Sequence, residues 1–161
     1  MVDNLTSFES IIDRSMSLIK DYRLDNLYKN DKESFIIFMS SLLLNSIDDF
    51  STSCLTDLSY HTETETNENL EDVNRYYFDN DLSNKEISIL SKGLAINWMS
   101  RNVLDVEQMN LKLNTKNFRS YSEANNLQRK QETLDRLKEE YSRNIEEYQL
   151  SNLSKLHFFG N

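Results

Sequence analysis

A mainly helical, all-α fold is predicted by three observations. The chain has no proline and only two glycines, Gly93 and Gly160, so the closely spaced turns of a β-sandwich have few residues to make them. Several stretches repeat apolar residues at three- and four-residue intervals, which is the helical period. Three Ser/Thr-x-x-Glu steps, Thr6 to Glu9, Ser83 to Glu86 and Ser120 to Glu123, introduce such stretches, and this step caps a helix start. The expected architecture is a bundle of about four helices, forming one domain over 1–152, with a long loop or small β-ribbon at about 51–82.

The first helix starts after Thr6 and carries Phe8, Ile11, Ile12, Leu18 and Ile19 at helical spacing. It fades near Asp21, and Tyr22, Leu24, Leu27 and Tyr28 then form a short apolar patch. The second helix is expected over 31–50 and is the most apolar segment, with Phe35, Phe38, Met39 and Leu42 read as packed core rather than a ligand pocket. The stretch 51–82 breaks the pattern. Residues 61–72, HTETETNENLED, are acidic and lack apolar periodicity, so a solvated loop is expected there. Glu63, Glu65, Glu68, Glu71 and Asp72 could attract a hard cation, but neither an EF-hand spacing nor its central glycine is present.

The segment 83–106 is the expected centre of the fold. Its apolar residues cover most of the helix circumference, as in a helix enclosed by others. Leu94 and Trp98 lie on one stripe of it, and Trp98 is expected between the helices over 35–50 and 122–150. Gly93 costs about 1 kcal/mol against alanine in mid-helix, so it is either a neutral choice or a close helix crossing, and the crossing is favoured. Beyond it, Met109, Leu111 and Leu113 continue the helix or make a turn. Lys112, Lys116, Arg119, Arg129 and Lys130 give residues 110–130 a net charge of +4. With Phe118 and Tyr121 between them, these bases could form a DNA-proximal groove or a helix–helix interface, and the interface is favoured in so acidic a protein. The last helix, over about 122–150, has one narrow apolar stripe. The segment 153–161 follows, and Leu153, Leu156, Phe158 and Phe159 make it an apolar tail suited to partner contact.

Charge and composition narrow the function classes. The net charge is −9, with 16 acids against 6 Lys/Arg in residues 1–80 and 11 against 12 in residues 81–161. The net acidity disfavours nucleic-acid binding through the whole surface, and the asymmetry suits head-to-tail association, though solubility explains it equally well. The single cysteine, Cys54, excludes an intrachain disulfide and a cysteine-based zinc site, and is expected to be a small buried residue. The chain shows neither a signal-peptide pattern nor an apolar run long enough to span a bilayer, so a soluble cytoplasmic protein without membrane contact is expected. The two histidines, His61 and His157, sit in no catalytic motif, and no glycine-rich phosphate loop is present. No catalytic residue, metal or cofactor is expected, and the chain is read as a non-enzyme.

Several segments in order resemble a known group. FIIFMSSLLLNSIDDF is followed by CLTDLSY, then YYFDNDLSNKEISILSKGLAINWM, then NLKLNTKNFRSYSEANNLQRKQETL and a long amphipathic helix. This order, covering roughly 31–150, is similar to head–tail connector (adaptor) proteins of tailed bacteriophages, and its best-marked pieces are the helix bearing Trp98 and the segment NFRSYSEANNL. The resemblance implies a helical virion subunit of the neck, assembled in host cytoplasm, that forms a homo-oligomeric ring, a dodecamer in the family. Such a ring docks on the portal protein, meets other neck and tail proteins, and extends a channel through which DNA passes without sequence-specific binding. A monomeric helical binding or inhibitor protein is the alternative.

Overall fold

The computed structural model describes residues 5–19, 21–67, 70–113 and 120–157, with side chains left undescribed at 22–23, 104–113, 120–127 and 154–157. The elements run α1 (Phe8–Met16), α2 (Tyr22–Asn30), α3 (Lys32–Ser51), β1 (Tyr60–Thr66), β2 (Asp72–Phe78), α4 (Asn84–Leu113) and α5 (Ser120–His157). The fold is mainly helical with one two-stranded antiparallel sheet. Five helices are described instead of about four, because the apolar patch at Tyr22, Leu24, Leu27 and Tyr28 forms α2.

The helix starts follow local chemistry. Ser7, not Thr6, caps α1, its Oγ accepting the Ser10 N–H at 3.2 Å. Thr6 is buried and ties strands to helices instead. Its carbonyl accepts from Phe78 N–H at 2.9 Å, and its Oγ1 accepts from Leu82 N–H at 3.1 Å. Asp31 caps α3 through Ser34 N–H at 3.0 Å. The Ser83–Glu86 box forms in full: Ser83 N–H donates to Glu86 Oε2 at 2.7 Å, and Glu86 N–H donates to Ser83 Oγ at 3.4 Å. The third Ser-x-x-Glu step lies outside the described side chains, although α5 does start at Ser120.

α4 is the centre of the packing, against α1, α3 and α5. Phe8, Ile11 and Ile12 of α1, Phe35, Met39, Leu43 and Phe50 of α3, and Ile89, Leu90 and Leu94 of α4 are all buried. Leu42 is buried as expected, whereas Phe38 is half-buried at the core's edge with the Arg101 guanidinium carbon 5.3 Å from its ring centre. A second apolar seam joins α4 to α5 through Ile96, Val103, Leu134 and Leu137. Gly93 is the close crossing: a Cβ there would meet Ser46 Cβ at 3.0 Å and Tyr141 Cε2 at 3.3 Å, so α3 and α5 both approach α4 at this point.

The small β-ribbon alternative holds within 51–82, and most of the acidic segment 61–72 is strand rather than loop. Residues up to Thr66 belong to β1 and Asp72 opens β2, paired from Tyr60↔Phe78 to Thr66↔Asp72. Alternating threonines supply β-branched side chains on one face, and Thr64 and Thr66 bond across the ribbon to Asn74 and Asp72, each at 3.2 Å. The base of the ribbon seats on α1, where the Phe8 ring centre lies 4.9–5.3 Å from those of Tyr60, Tyr76 and Phe78.

Candidate functional site

A cleft of about 560 Å³ lies where the end of α1, α4 and α5 meet. Leu18 and Ile19 from the segment after α1 and Trp98, Met99 and Val103 from α4 make its apolar floor. Arg129, Lys130 and Arg136 of α5 stand around it, against Asp21 as the one carboxylate among the described lining residues. The three bases are exposed, whereas Ile19, Trp98 and Val103 are buried to 9% exposure or less. The cleft walls around Trp98 come from the end of α1 and from α5, not from α3. The α3-facing side of α4 is instead marked by Gly93, by Asn97, which donates to Ser46 Oγ at 2.9 Å, and by Arg101 over Phe38.

An apolar floor with a cationic rim binds surfaces or molecules that pair anionic groups with apolar ones, because aliphatic and aromatic contact supplies area and the rim supplies charge selection. Its described lining residues include no cysteine, serine or histidine and no carboxylate pair. Among the described residues no group of three or more His, Cys, Asp or Glu could hold a metal ion. No described helix is long and apolar enough to cross a membrane.

Two polar clusters elsewhere are fastened into the fold. Glu86 is 3% exposed, yet its carboxylate accepts from Thr56 Oγ1 and Tyr148 O–H, both at 2.6 Å, besides the Ser83 N–H and O–H. Burial alone would raise its pKa, but the bonds from Thr56, Tyr148 and Ser83 outweigh that and hold it at about 2. The Tyr148 oxygen also accepts from Leu55 N–H at 3.1 Å, so one carboxylate and one phenol join the segment after α3, the start of α4 and the end of α5. Cys54 is half-buried here, and its thiol is pushed up to about 11 by burial and then by the Glu86 charge. The second cluster centres on Arg75, whose guanidinium bonds Glu9 at 2.6 Å and both oxygens of Glu33 at 2.7 and 2.8 Å. It clamps β2 to the first turns of α1 and α3.

The outer ribbon carries His61 between Asp79 at 2.6 Å and Glu63 at 3.2 Å. The Asp79 bond, then the Glu63 bond, raise its pKa above the ordinary histidine value. Tyr77 O–H donates to Glu65 on the same face, and that bond and burial push Tyr77 up to about 12.

Of the residues expected from sequence to form an interface, Arg129 and Lys130 come together on the cleft. Lys112 lies in α4 with its side chain undescribed, and Lys116 and Arg119 lie outside the described residues. The boundary at 152 does not coincide with a structural break, because α5 continues through Leu153 to His157. Leu153 is 57% exposed, the Leu156 side chain is undescribed, and Phe158 and Phe159 lie outside the described residues. Sequence reasoning missed Arg136, Ile19 and the role of Trp98 as cleft floor. One signal was available for the rim: Arg129, Thr133 and Arg136 stand at i, i+4 and i+7 and so share a helix face. Comparison of the chain with protein-family models, with curated proteins and with solved structures finds no match in any of the three.

Proposed function

We propose that this chain is a structural subunit of a tailed-phage virion, a head–tail connector that assembles with copies of itself into a ring and docks on the portal through the end of α5. The observation that carries the reading is how α5 ends. Among the described side chains its last buried one is Tyr148, after which Leu150 and Leu153 are 65% and 57% exposed, and the sequence continues with Leu156, Phe158 and Phe159. Large apolar side chains left exposed beyond the core, as Leu150 and Leu153 are, make a surface awaiting a partner. The sequence resemblance to connector proteins supplies the identity of that partner, the portal, and the ring through which DNA passes. The reading is of a non-enzymatic protein located in the virion neck.

The test is the native mass of the purified chain, alone and mixed with a portal ring. A multimer that forms or is captured on the portal is the expected result. A monomer that ignores the portal overturns the reading. It would favour the second one, a monomeric helical binding or inhibitor protein, for which the cleft at Trp98 would be the partner site.

A further inference from the structure

We infer that the cationic cleft at Trp98 is the receiving half of a contact between copies of this chain, and that its occupant is the acidic outer face of the β1–β2 ribbon of a second copy. The inference rests on the ring reading for the biological meaning of the contact, but the contact itself is argued from charge and shape.

The other apolar segment is a poorer match by sequence. Residues 153–161, LSKLHFFGN, contain Lys155 and no acidic side chain to set against Arg129, Lys130 and Arg136. The ribbon has the opposite character. Residues 57–81 hold eight acids and one base, Arg75, and that base is turned inward onto Glu9 and Glu33. Glu63 and Glu65 share a strand face with His61 and stand across from Arg75 and Val73, with Tyr77 opposite His61. That face therefore offers two exposed carboxylates, Glu63 bonded to His61 and Glu65 to Tyr77 O–H, beside the half-buried bodies of Tyr77 and Val73. A cationic rim around an apolar floor is its complement. The cleft and the ribbon share no residue, so one copy can use both at once. Such a contact is heterologous and propagates head to tail, which closes into a ring when the rotation per copy allows.

The test uses the full chain, followed by light scattering and by the emission of Trp98, which is the only tryptophan and lies on the cleft floor. Wild type should associate in low salt, with a change in Trp98 emission, and dissociate as salt rises. Reversing the cleft (Arg129→Glu with Arg136→Glu) or the ribbon (Glu63→Lys with Glu65→Lys) should each weaken association about tenfold or more, and the four changes together should restore it. The glutamine versions of each pair should weaken it less, and circular dichroism on every variant keeps misfolding apart from lost contact. A wild-type chain that stays monomeric in low salt at its highest soluble concentration overturns the contact. Association that ignores both reversals also overturns it, while leaving the ring reading intact. Association that obeys the charge swap without any portal binding supports the contact and overturns docking on the portal.

Discussion

Gly93 and Ser46 meet at a close crossing of α4 and α3, with a virtual Cβ on Gly93 only 3.0 Å from Ser46 Cβ. Ser46 cannot swing aside, because its Cβ is fixed to the α3 backbone and its Oγ accepts from Asn97 at 2.9 Å. Gly93→Ala gains about 1 kcal/mol of helix propensity and loses about 1–3 kcal/mol to overpacking. A net destabilisation of about 1 kcal/mol is expected in thermal melts. Combining it with Ser46→Gly should show a favourable coupling above about 0.5 kcal/mol in a double-mutant cycle. A Gly93→Ala protein more stable than wild type would mean that α3 and α4 can separate at no cost.

Glu86 makes acid sensitivity testable. Its folded pKa of about 2 lies below the ordinary 4.5, so the charged form is preferred in the folded state. Its stabilising contribution is therefore complete above about pH 4.5 and is lost as pH falls towards 2. Glu86→Gln should flatten that part of the stability profile and lower stability at neutral pH. Tyr148→Phe removes one donor to a buried carboxylate and should cost about 1.5–3 kcal/mol at pH 7. Urea titrations between pH 2 and 7 measure both, and an unchanged acid slope in Glu86→Gln would assign the acid response to other carboxylates.

Arg75 should be equally consequential for the ribbon. Its side chain is 10% exposed, while Glu9 and Glu33 are 32% and 31% exposed. Arg75→Ala strands two partly buried carboxylates and is expected to cost about 2–4 kcal/mol, discounted from the fully buried range for that exposure. Arg75→Lys keeps the charge but not the fork that spans both acids, so it should recover less than half of the loss. Amide exchange in 72–78 should quicken in both variants. A loss below about 0.5 kcal/mol would show that aromatic packing on Phe8 alone seats the ribbon.

What the sequence disclosed and what it withheld follow from range. The Ser83–Glu86 box was legible because both partners lie within one turn. The additional bonds to Glu86 from Thr56 and Tyr148 span 30 and 62 residues and exist only once the fold does. β1 was read as loop because Tyr60–Thr66 buries no face, so the apolar alternation that usually reveals a strand is missing and only its threonines and tyrosine favour one. α2 was legible as an apolar patch but too short for its helical period to stand out. Two of the three rim bases, Arg129 and Lys130, were visible in a basic cluster, whereas the floor needed Ile19 and Trp98 brought together from 79 residues apart.

Burial along α5 changes sharply between Tyr148 and Leu153. Tyr148 is buried and its oxygen serves Glu86, Leu55 and the Cys54 thiol, so truncation before Tyr148 should cost about 3–5 kcal/mol. Five residues further on, Leu153 is 57% exposed, and removing an exposed leucine forfeits little buried area. Deleting 153–161 should therefore leave the melting temperature within about 2 °C of wild type, with a small loss of helicity. The same deletion should abolish capture of the chain by a portal ring. Restoring 153–161 with Leu153, Leu156, Phe158 and Phe159 all changed to serine should keep the melt and leave capture absent. If the deletion instead melts much earlier, these apolar residues pack on their own domain, and the portal must be held by another surface.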